Sequence, residues 1–255
     1  MFYKKSFIFD QINELTRSCQ EKEVLKNILD KYFEVFSKNK LDIGCYNGVK
    51  HQIETGTKGP VVIPPRRIPM AAEDKVEEHI KELLKQKIIR YSNSPWNAPL
   101  VIAQKPNGDI RMCVDYRKLN SITEKPVFTI PDSTYLFDQL DGCEYFSTID
   151  LSQGYYQVPV AEKDSSKTAF TTKSGHYEFL KLPFGLSGAP ACFQKVMSEI
   201  LSTINWRGCL IYLDDILFFS RSLEEHKEKR LQVLESIKVA GFKLAPKMFF
   251  SQTGA

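Results

Sequence analysis

The sequence predicts an α+β fold in which antiparallel hairpins alternate with amphipathic helices, and three observations support this prediction. Apolar residues recur at helical spacing across residues 71–90. An Asn-Gly pair at residues 107–108 separates two strand-like runs, which is a strong hairpin signal. The apolar run at residues 209–219 carries two carboxylates at its centre, which is typical of a strand pair with a tight bend.

Composition limits the class of protein. With 255 residues, of which 42% are hydrophobic, the chain can bury a core as one large domain or as two subdomains. The net charge of +4 permits nucleic-acid binding without indicating it. The cysteines form no C-x-x-C pair and the histidines show no metal-ligand spacing, which favours reduced thiols over a disulfide framework or a zinc site. Because no signal peptide or membrane span is evident, we expect a soluble intracellular protein, cytoplasmic or nuclear.

The N-terminal part of the chain is expected to form a helical arm and an extended connector. Residues 11–37 carry apolar side chains at helical spacing. Glycine and proline recur through residues 42–70, which predicts little helix there. The main domain is expected to start near Val61. An amphipathic helix at residues 71–90 follows, with one apolar stripe and one charged face.

A basic hairpin is predicted next. The strand-like runs 100–103 and 110–114 flank the Asn-Gly turn. Lys105 and Arg111 stand at the two shoulders of this hairpin. As exposed basic residues they are ordinary solubilising charge, but if they lean toward the carboxylates they can bind the triphosphate of a nucleotide.

The middle of the chain carries an acid and an aromatic residue close together. Residues 132–140 predict a short helix, and the strand after it contains Asp150. Residues 152–160 are expected to turn and to return as a strand. Tyr155 lies five residues past the acid. It is either an aromatic residue packing beside a strand or a wall of a nucleotide pocket.

The remaining elements alternate between strands and helices. In chain order they are a hairpin at 168–172 and 177–182, a small-residue loop at 182–190, a helix at 190–204 packing under the sheet, and a helix at 223–239. In the last helix Leu231, Leu234 and Ile237 are expected to face inward, and Gly241 is expected to end it.

Three carboxylates point to a chemical function. Asp214 and Asp215 lie at the bend of the run 209–219, and Asp150 lies in a second apolar run. Burying an unpaired carboxylate costs several kcal/mol, so the bend either faces water or holds cations. A solvated turn is the simple explanation for an isolated pair. Three acids on neighbouring strand ends, however, can hold two Mg²⁺ ions about 3.5–4 Å apart for in-line phosphoryl transfer. We therefore hypothesise a nucleotide-polymerising site.

Five motifs occur in an order and spacing that resemble one family. They are Ser-Asn-Ser-Pro-Trp at 92–96, Val-Asp-Tyr-Arg-Lys-Leu-Asn at 114–120, the run 145–157, the run 182–194, and Tyr-Leu-Asp-Asp at 212–215. Together they resemble the reverse transcriptase of gypsy-class LTR retrotransposons, which is one portion of a Pol polyprotein. The similarity extends from about residue 51 to the end of the chain, and the helical arm also fits that class.

The resemblance implies a right-hand polymerase fold of which this chain holds fingers and palm, with the thumb absent. Residues 1–60 would form the helical arm and the extended connector. The fingers would be residues 61–125 and 158–188. The palm would be residues 126–157 and 189–255, with an antiparallel sheet backed by helices.

The resemblance also implies roles for individual residues. The catalytic acids would be Asp150, Asp214 and Asp215. The metal ligands would be Asp150, Leu151 and Asp214, holding two Mg²⁺ ions, with Mn²⁺ possible. The dNTP-binding residues would be Lys105, Arg111, Ser152, Gln153, Gly154 and Tyr155, with Tyr155 as the steric gate against a ribose 2′-hydroxyl. The residues near the template and the pocket would be Phe184, Gly185 and Tyr212, and Phe184 stands where retroviral enzymes carry glutamine.

The implied activity is that of an RNA-directed DNA polymerase, which transfers nucleotides from dNTPs to a primer 3′-hydroxyl on an RNA or DNA template. Other polyprotein parts, such as a thumb and RNase H, are expected as oligomeric partners, with no membrane involved, and retrotransposon particles are one expected location. Two alternatives stay open. The chain could be a truncated or domesticated remnant that binds nucleic acid or a partner without polymerising. An RNA-directed RNA polymerase also uses paired aspartates, although the bulky Tyr155 argues against it.

Overall fold

The chain folds into two compact units with mixed helix and antiparallel sheet, which confirms the α+β prediction. The computed structural model describes residues 30–39, 42–104, 110–124, 140–202, 204, 208–212 and 215–252. The first unit comprises Met1–Gly48, Phe128–Gly154 and Phe193–Ala255. The second unit comprises Val49–Val127 and Tyr155–Cys192. The assignment of these units to palm and fingers stays a prediction.

The described elements follow one another as short helices and strands. The α-helices are α1 (Met70–Lys85), α2 (Arg117–Ile122), α3 (Glu162–Ser165), α4 (Ala189–Ile200) and α5 (Leu223–Val239). The strands are β1 (Ile89–Tyr91), β2 (Leu100–Gln104), β3 (Ile110–Val114), β4 (Tyr145–Leu151), β5 (Phe170–Thr171), β6 (His176–Phe179), β7 (Cys209–Tyr212), β8 (Asp215–Ser220) and β9 (Leu244–Gln252). Single 3-10 turns occupy Phe33–Val35, Gly154–Gln157 and Ser166–Thr168. No helix in the described ranges is both long enough and apolar enough to cross a membrane.

The first unit is built on a four-stranded antiparallel sheet in the order β7-β8-β4-β9. The hairpin of β7 and β8 was predicted from the sequence and is confirmed. Strand β9 was not predicted, and it pairs with the side of β4 that β8 leaves open. Helix α5 packs against β8 and β4.

Helix α5 has the predicted bounds but a more polar buried face than expected. Its buried residues are His226, Arg230, Val233, Leu234 and Ile237. Leu234 and Ile237 face inward as predicted, whereas Leu231 is only half-buried, so that prediction was wrong. In the first turns of the helix the buried positions are occupied by His226 and Arg230, and both side chains form hydrogen bonds with Ser147 beneath the sheet.

The second unit contains both predicted hairpins. Strands β2 and β3 pair in register from Leu100 opposite Val114 to Gln104 opposite Ile110. Strands β5 and β6 form the other hairpin, and β1 pairs with β6 to give a three-stranded sheet in the order β1-β6-β5. Residues 105–109, which join β2 to β3 and include Lys105, lie outside the described residues.

Helix α1 ends at Lys85, five residues before the predicted end at residue 90. Lys87 adopts a left-handed conformation with φ of 54°. Its N–H donates to the carbonyl of Leu84, and the N–H of Ile88 donates to the carbonyl of Leu83. This pair of bonds is a Schellman ending, and lysine supplies the left-handed position that glycine usually takes. The predicted end of the helix was too late because Ile88 continues the apolar pattern and is buried, although it lies beyond the last helical residue.

Residues 152–160 turn as predicted but do not return as a regular strand. Gly154–Gln157 form a 3-10 turn, and the N–H of Val158 donates to the carbonyl of Tyr155. Beyond it Pro159 and Val160 make only isolated bridges. Pro159 has no N–H to donate to a ladder, so a continuous strand is disfavoured there.

Two other helix predictions need correction at their ends. Helix α4 stops at Ile200 rather than at residue 204, because Ser202 and Ile204 donate to carbonyls three residues earlier, which tightens the chain into turns. In the N-terminal arm residues 30–32 are helical, but Phe36 already forms a bridge with Leu244, so the helix does not reach residue 37. The rest of the arm and the short helix at 132–140 fall outside the described residues, except for residue 140, which lies in a turn.

Candidate active site

The first unit brings two of the three predicted acid positions together. Asp150 is exposed on β4, whereas its neighbours Ile149 and Leu151 are buried, as the alternation of a strand requires. The register of β4 and β8 sets Asp150 directly opposite Asp215. Positions that face each other in an antiparallel pair share one face of the sheet. The backbone therefore makes positions 150 and 215 close neighbours.

The third predicted acid, Asp214, comes between β7 and β8 in the sequence. Tyr212 at the end of β7 pairs with Asp215 at the start of β8. Asp214 and the side chains of Tyr212 and Asp215 lie outside the described residues. In the part of the chain that is described, no three acidic, histidine or cysteine side chains form a cluster that could hold a metal ion.

The donor set at this edge nevertheless suits a hard divalent cation. Mg²⁺ prefers carboxylate and carbonyl oxygens and commonly uses one or two carboxylates, with phosphate and water oxygens completing its shell. An exposed carboxylate at Asp150 and a second aspartate opposite it on β8 meet that requirement. The residues at these positions therefore fit a divalent cation.

Strand β9 is irregular next to Asp150. Ile149 pairs with Met248 and Leu151 pairs with Leu244, so three residues of β9 stand opposite the single residue Asp150. The sequence contributes Pro246 within these three residues, and proline cannot donate to a ladder. A bulge of this kind bends a strand and interrupts regular pairing, and bulges are frequent next to active sites. The acid thus sits where the pairing of β4 changes.

The segment after Asp150 turns sharply. Gln153 has a φ of 51°, which is unusual for a residue other than glycine. A Cβ at Gly154 would lie 3.0 Å from the ring of Phe193 and 3.3 Å from the Cβ of Leu151, so a larger residue would fit only if these neighbours shifted by a few tenths of an ångström. The N–H of Ser152 donates to the carbonyl of Lys243 at 3.1 Å. That amide is therefore engaged within the protein.

Tyr155 lies in the second unit in an aromatic group. The tyrosine is buried, with 8% of its surface exposed. Its ring meets that of Phe184 edge-on, with the ring centroids 4.9 Å apart. Tyr156 also contacts Phe184 edge-on at 5.5 Å and stacks with Phe179 at 6.2 Å. Burial raises the pKa of Tyr156 to about 12, so its hydroxyl stays protonated at neutral pH.

The loop that carries Phe184 and Gly185 is held by Asn120, a residue for which the sequence reasoning assigned no role. The side-chain amide of Asn120 donates to the carbonyl of Gly185 at 2.8 Å and accepts from the N–H of Ser187 at 2.9 Å. Gly185 has a φ of 95°, and a Cβ there would lie 3.3 Å from the carbonyl oxygen of Val114. The signal was available, because Asn120 closes the motif at residues 114–120.

The basic positions of the hairpin are only partly described. Arg111 is exposed on β3, opposite Ala103. Nearby in sequence, Asp115 accepts hydrogen bonds from Arg117 at 2.7 and 2.8 Å and from Arg66 at 2.9 Å. The hydrogen bonds from Arg117 are the main cause that lowers the pKa of Asp115 to about 2. This carboxylate is already paired with arginines, unlike a ligand awaiting a cation.

A buried polar group beneath the four-stranded sheet was also missed by the sequence reasoning. His226 of α5 lies 2.8 Å from the hydroxyl of Ser147 on β4 and 2.9 Å from the hydroxyl of Ser220 on β8. Arg230 donates to Ser147 at 3.2 Å. These contacts tie α5 to both strands on which the aspartates at 150 and 215 lie. Spacing alone could not reveal them, because they depend on the register of two distant strands.

Comparison with known families gives a match over most of the chain. The family model described as reverse transcriptase (RNA-dependent DNA polymerase) matches residues 103–249. The retrovirus-related Pol polyprotein from transposon 297 of Drosophila melanogaster is 39% identical over 243 residues, covering 93% of this chain and 22% of that protein. The Pol polyprotein from transposon gypsy of the same organism is 31% identical over 224 residues, covering 86% of this chain and 22% of that protein.

A viral relative and two solved structures agree with this match. The enzymatic polyprotein of cauliflower mosaic virus (strain Strasbourg) is 33% identical over 89% of this chain and 34% of that protein. The foamy viral protease-reverse transcriptase in complex with RNA/DNA hybrid is 28% identical with a TM-score of 0.89, covering 97% of this chain and 33% of that chain. Its counterpart in complex with double-stranded DNA has a TM-score of 0.89 and 28% identity, covering 98% of this chain and 44% of that chain. The chain spans only about a fifth of the length of the Drosophila relatives.

Proposed function

The chain belongs to the reverse transcriptase family, and from that premise we propose that it is the catalytic portion of an RNA-directed DNA polymerase. The reaction would join a nucleotide from a dNTP to the 3′-hydroxyl of a primer and release pyrophosphate. The observation that supports this most directly is the strand register that pairs Asp150 with Asp215, the residue that follows Asp214 in the sequence.

The three aspartates would form the acidic centre of the reaction. Asp150, Asp214 and the main-chain carbonyl of Leu151 would ligate two Mg²⁺ ions, or Mn²⁺ in their place, and Asp215 would complete the cluster. Divalent ions of this kind lower the pKa of an attacking hydroxyl and stabilise the charge of the leaving group. The protein supplies a rigid support for these carboxylates, since both strands are fixed in one sheet and tied to α5 through His226.

The dNTP would be bound by cations and backbone amides. Lys105 and Arg111 would neutralise the triphosphate, because phosphate oxygens form strong charge-assisted hydrogen bonds with such side chains. The turn at Ser152, Gln153 and Gly154 would add main-chain N–H groups.

The sugar and the template would be read by aromatic and small residues. Tyr155 would act as the steric gate that excludes a ribose 2′-hydroxyl, which makes the product DNA. Phe184, Gly185 and Tyr212 would line the pocket near the template. In this proposal the second unit corresponds to the fingers and the first unit to the palm.

The partners would be a primer annealed to an RNA or DNA template, dNTPs, and other parts of a Pol polyprotein such as a thumb and RNase H. The cytoplasm, retrotransposon particles or the nucleus would be the site of action.

The test is Mg²⁺-dependent primer extension on an RNA template with Asp150→Asn and Asp215→Asn. Each substitution should lower extension by at least about a hundredfold, since it removes a charge that holds the reactive groups. Asp74→Asn on α1 is the matched control, because it makes the same change at an exposed aspartate in the other unit. Titration with Mn²⁺ followed by electron paramagnetic resonance should show fewer bound ions in both site variants.

The outcomes separate the two main hypotheses. Extension that persists in both variants would reject the acidic centre. A wild-type chain that binds primer–template and Mn²⁺ but does not extend the primer would support the binding remnant instead.

A further inference from the structure

The gate residue Tyr155 does not stand alone in the second unit. Only 8% of its surface is exposed, whereas its edge-on partner Phe184 is 44% exposed. Phe184 therefore combines an exposed face with a direct ring contact to the proposed gate.

The position of Phe184 is fixed by the loop that carries it. Asn120 uses both atoms of its side-chain amide to hold the backbone on the C-terminal side of Phe184, at Gly185 and Ser187. Gly185 has a φ of 95°, and a Cβ added there would lie 3.3 Å from the carbonyl oxygen of Val114. These constraints leave the backbone at residue 184 little freedom, so its ring is presented to Tyr155 and Tyr156 from a rigid support.

An edge-on contact of this kind restrains the orientation of a ring. The two rings of Tyr155 and Phe184 meet at 86° with centroids 4.9 Å apart, which is the favoured arrangement for aromatic pairs. A steric gate discriminates by position, since a shift of a fraction of an ångström changes whether a hydroxyl fits. The residue that sets the position of the ring therefore takes part in discrimination.

We propose that Phe184 is a positioning residue that holds the ring of Tyr155 and so determines the preference for deoxyribose over ribose. This inference rests on the proposed function. It assigns to an aromatic side chain in the loop a task in sugar selection, separate from contact with the template. Removal of the ring should leave the acidic centre unchanged and allow Tyr155 to move.

The experiment compares dNTP with the matching rNTP in primer extension by the full chain, using wild type and Phe184→Leu. The ratio of kcat/KM for dNTP over rNTP should fall by between about twofold and tenfold, the range that corresponds to the loss of one aromatic pair. Phe184→Tyr keeps an aromatic ring at this position and should therefore keep the dNTP-to-rNTP ratio close to that of the wild type. Tyr91→Leu is the matched control, because Tyr91 is an exposed aromatic residue of the same unit that contacts Tyr177 instead.

A double variant tests whether Phe184 acts through the gate. Tyr155→Ala should itself lower the ratio, and adding Phe184→Leu to it should cause no further fall, since coupled residues show non-additive effects. The dissociation constants of dNTP and rNTP with bound primer–template give a second preference ratio, for ground-state binding, without turnover.

Each result decides the inference. If the wild type prefers dNTP and the Phe184→Leu variant has the same preference, the role of Phe184 is rejected while the proposed function stands. Weaker primer–template binding with an unchanged ratio overturns it in favour of a template contact. A wild type that neither extends a primer nor prefers dNTP in binding rejects the proposed function and this inference with it.

Discussion

At the scale of single residues, His226 shows how a polar side chain is accommodated beneath the sheet. Both ring nitrogens have hydroxyl partners, Ser147 and Ser220, on different strands. Burial, followed by the charges of Arg230 and Lys229, lowers the pKa of His226 to about 3, although Glu225 acts in the opposite direction. The imidazole therefore stays neutral in the folded protein.

His51 is a second buried histidine and lies in the other unit. Burial lowers its pKa to about 4, and the nearby carboxylate of Asp164 opposes that shift. Asp164 is itself bonded to Lys167 at 2.7 Å and to the N–H of Ile53 at 3.2 Å. Each unit thus contains a buried histidine whose pKa is lowered well below 6.5, so that it stays neutral at neutral pH.

We expect the free energy of unfolding to fall as the pH drops from 6.5, the ordinary pKa of histidine, toward 4. Between these pH values the unfolded chain binds protons at His51 and His226 that the folded chain does not. The stabilisation is therefore fully present above pH 6.5 and is lost as the pH falls toward 4. Each histidine contributes at most about 1.4 kcal/mol per pH unit. Urea denaturation near pH 7, pH 6 and pH 5 measures the slope, and His226→Gln should reduce it. A slope that does not change in this variant would contradict the burial of a neutral His226.

At the scale of elements, the ends of the helices depend on local chemistry. Helix α5 begins after Ser222, whose hydroxyl accepts from the N–H of Glu225 at 3.2 Å, and the carboxylate of Glu225 accepts from the N–H of Arg221 at 3.0 Å. This is close to a capping box, in which two otherwise unpaired N–H groups are satisfied by side chains. The Ser-x-x-Glu pattern marks the start of this helix in the sequence.

Ser222→Ala should lower the free energy of unfolding by about 1 kcal/mol, because one N–H of the first turn of α5 loses its cap. Ser236→Ala makes the same change inside the helix and should be neutral or slightly stabilising, since alanine has the higher helix propensity. Thermal or urea denaturation of both variants measures the difference. Equal stabilities would show that the cap contributes nothing to the folded state.

At the scale of the whole molecule, the sheet of the first unit is assembled from distant parts of the chain. Strand β4 lies between β8 and β9, which come more than sixty residues later in the sequence. The net charge of +4 is small for a protein that binds a polyanion. Binding to nucleic acid would then depend on local basic positions, such as Arg111, rather than on overall charge.

We expect the chain to bind an RNA/DNA hybrid with a dissociation constant on the order of 1–100 μM at physiological salt, the usual range for contacts to the phosphate backbone alone. The logarithm of the binding constant should fall linearly with the logarithm of salt concentration, because counterions are released. Fluorescence anisotropy of a labelled hybrid measures both. Arg111→Gln should reduce the salt slope, whereas Lys75→Gln on α1 should not. A slope close to zero would exclude binding through the phosphates.

The sequence predicted those parts of the fold that depend on local patterns. The hairpins β2-β3 and β5-β6 were identified from turn residues between strand-like runs, and β7-β8 from two carboxylates at the centre of one apolar run. Strand pairing across a short turn is a local event. Helix α5 was located from its apolar spacing. The end of α1 was missed because a lysine rather than a glycine occupies the left-handed position.

By itself the sequence determined the kinds of chemistry available to this protein, namely three aspartates in strand-like surroundings, basic positions on a hairpin and a tyrosine shortly after the first acid. Tertiary structure alone decided that positions 150 and 215 are paired, that β9 adds a fourth strand and bulges beside Asp150, and that Asn120 holds the loop of Phe184. The physical reason is that register between distant strands is set by the packing of the whole unit. A local pattern contains no information about which distant strand will be the neighbour.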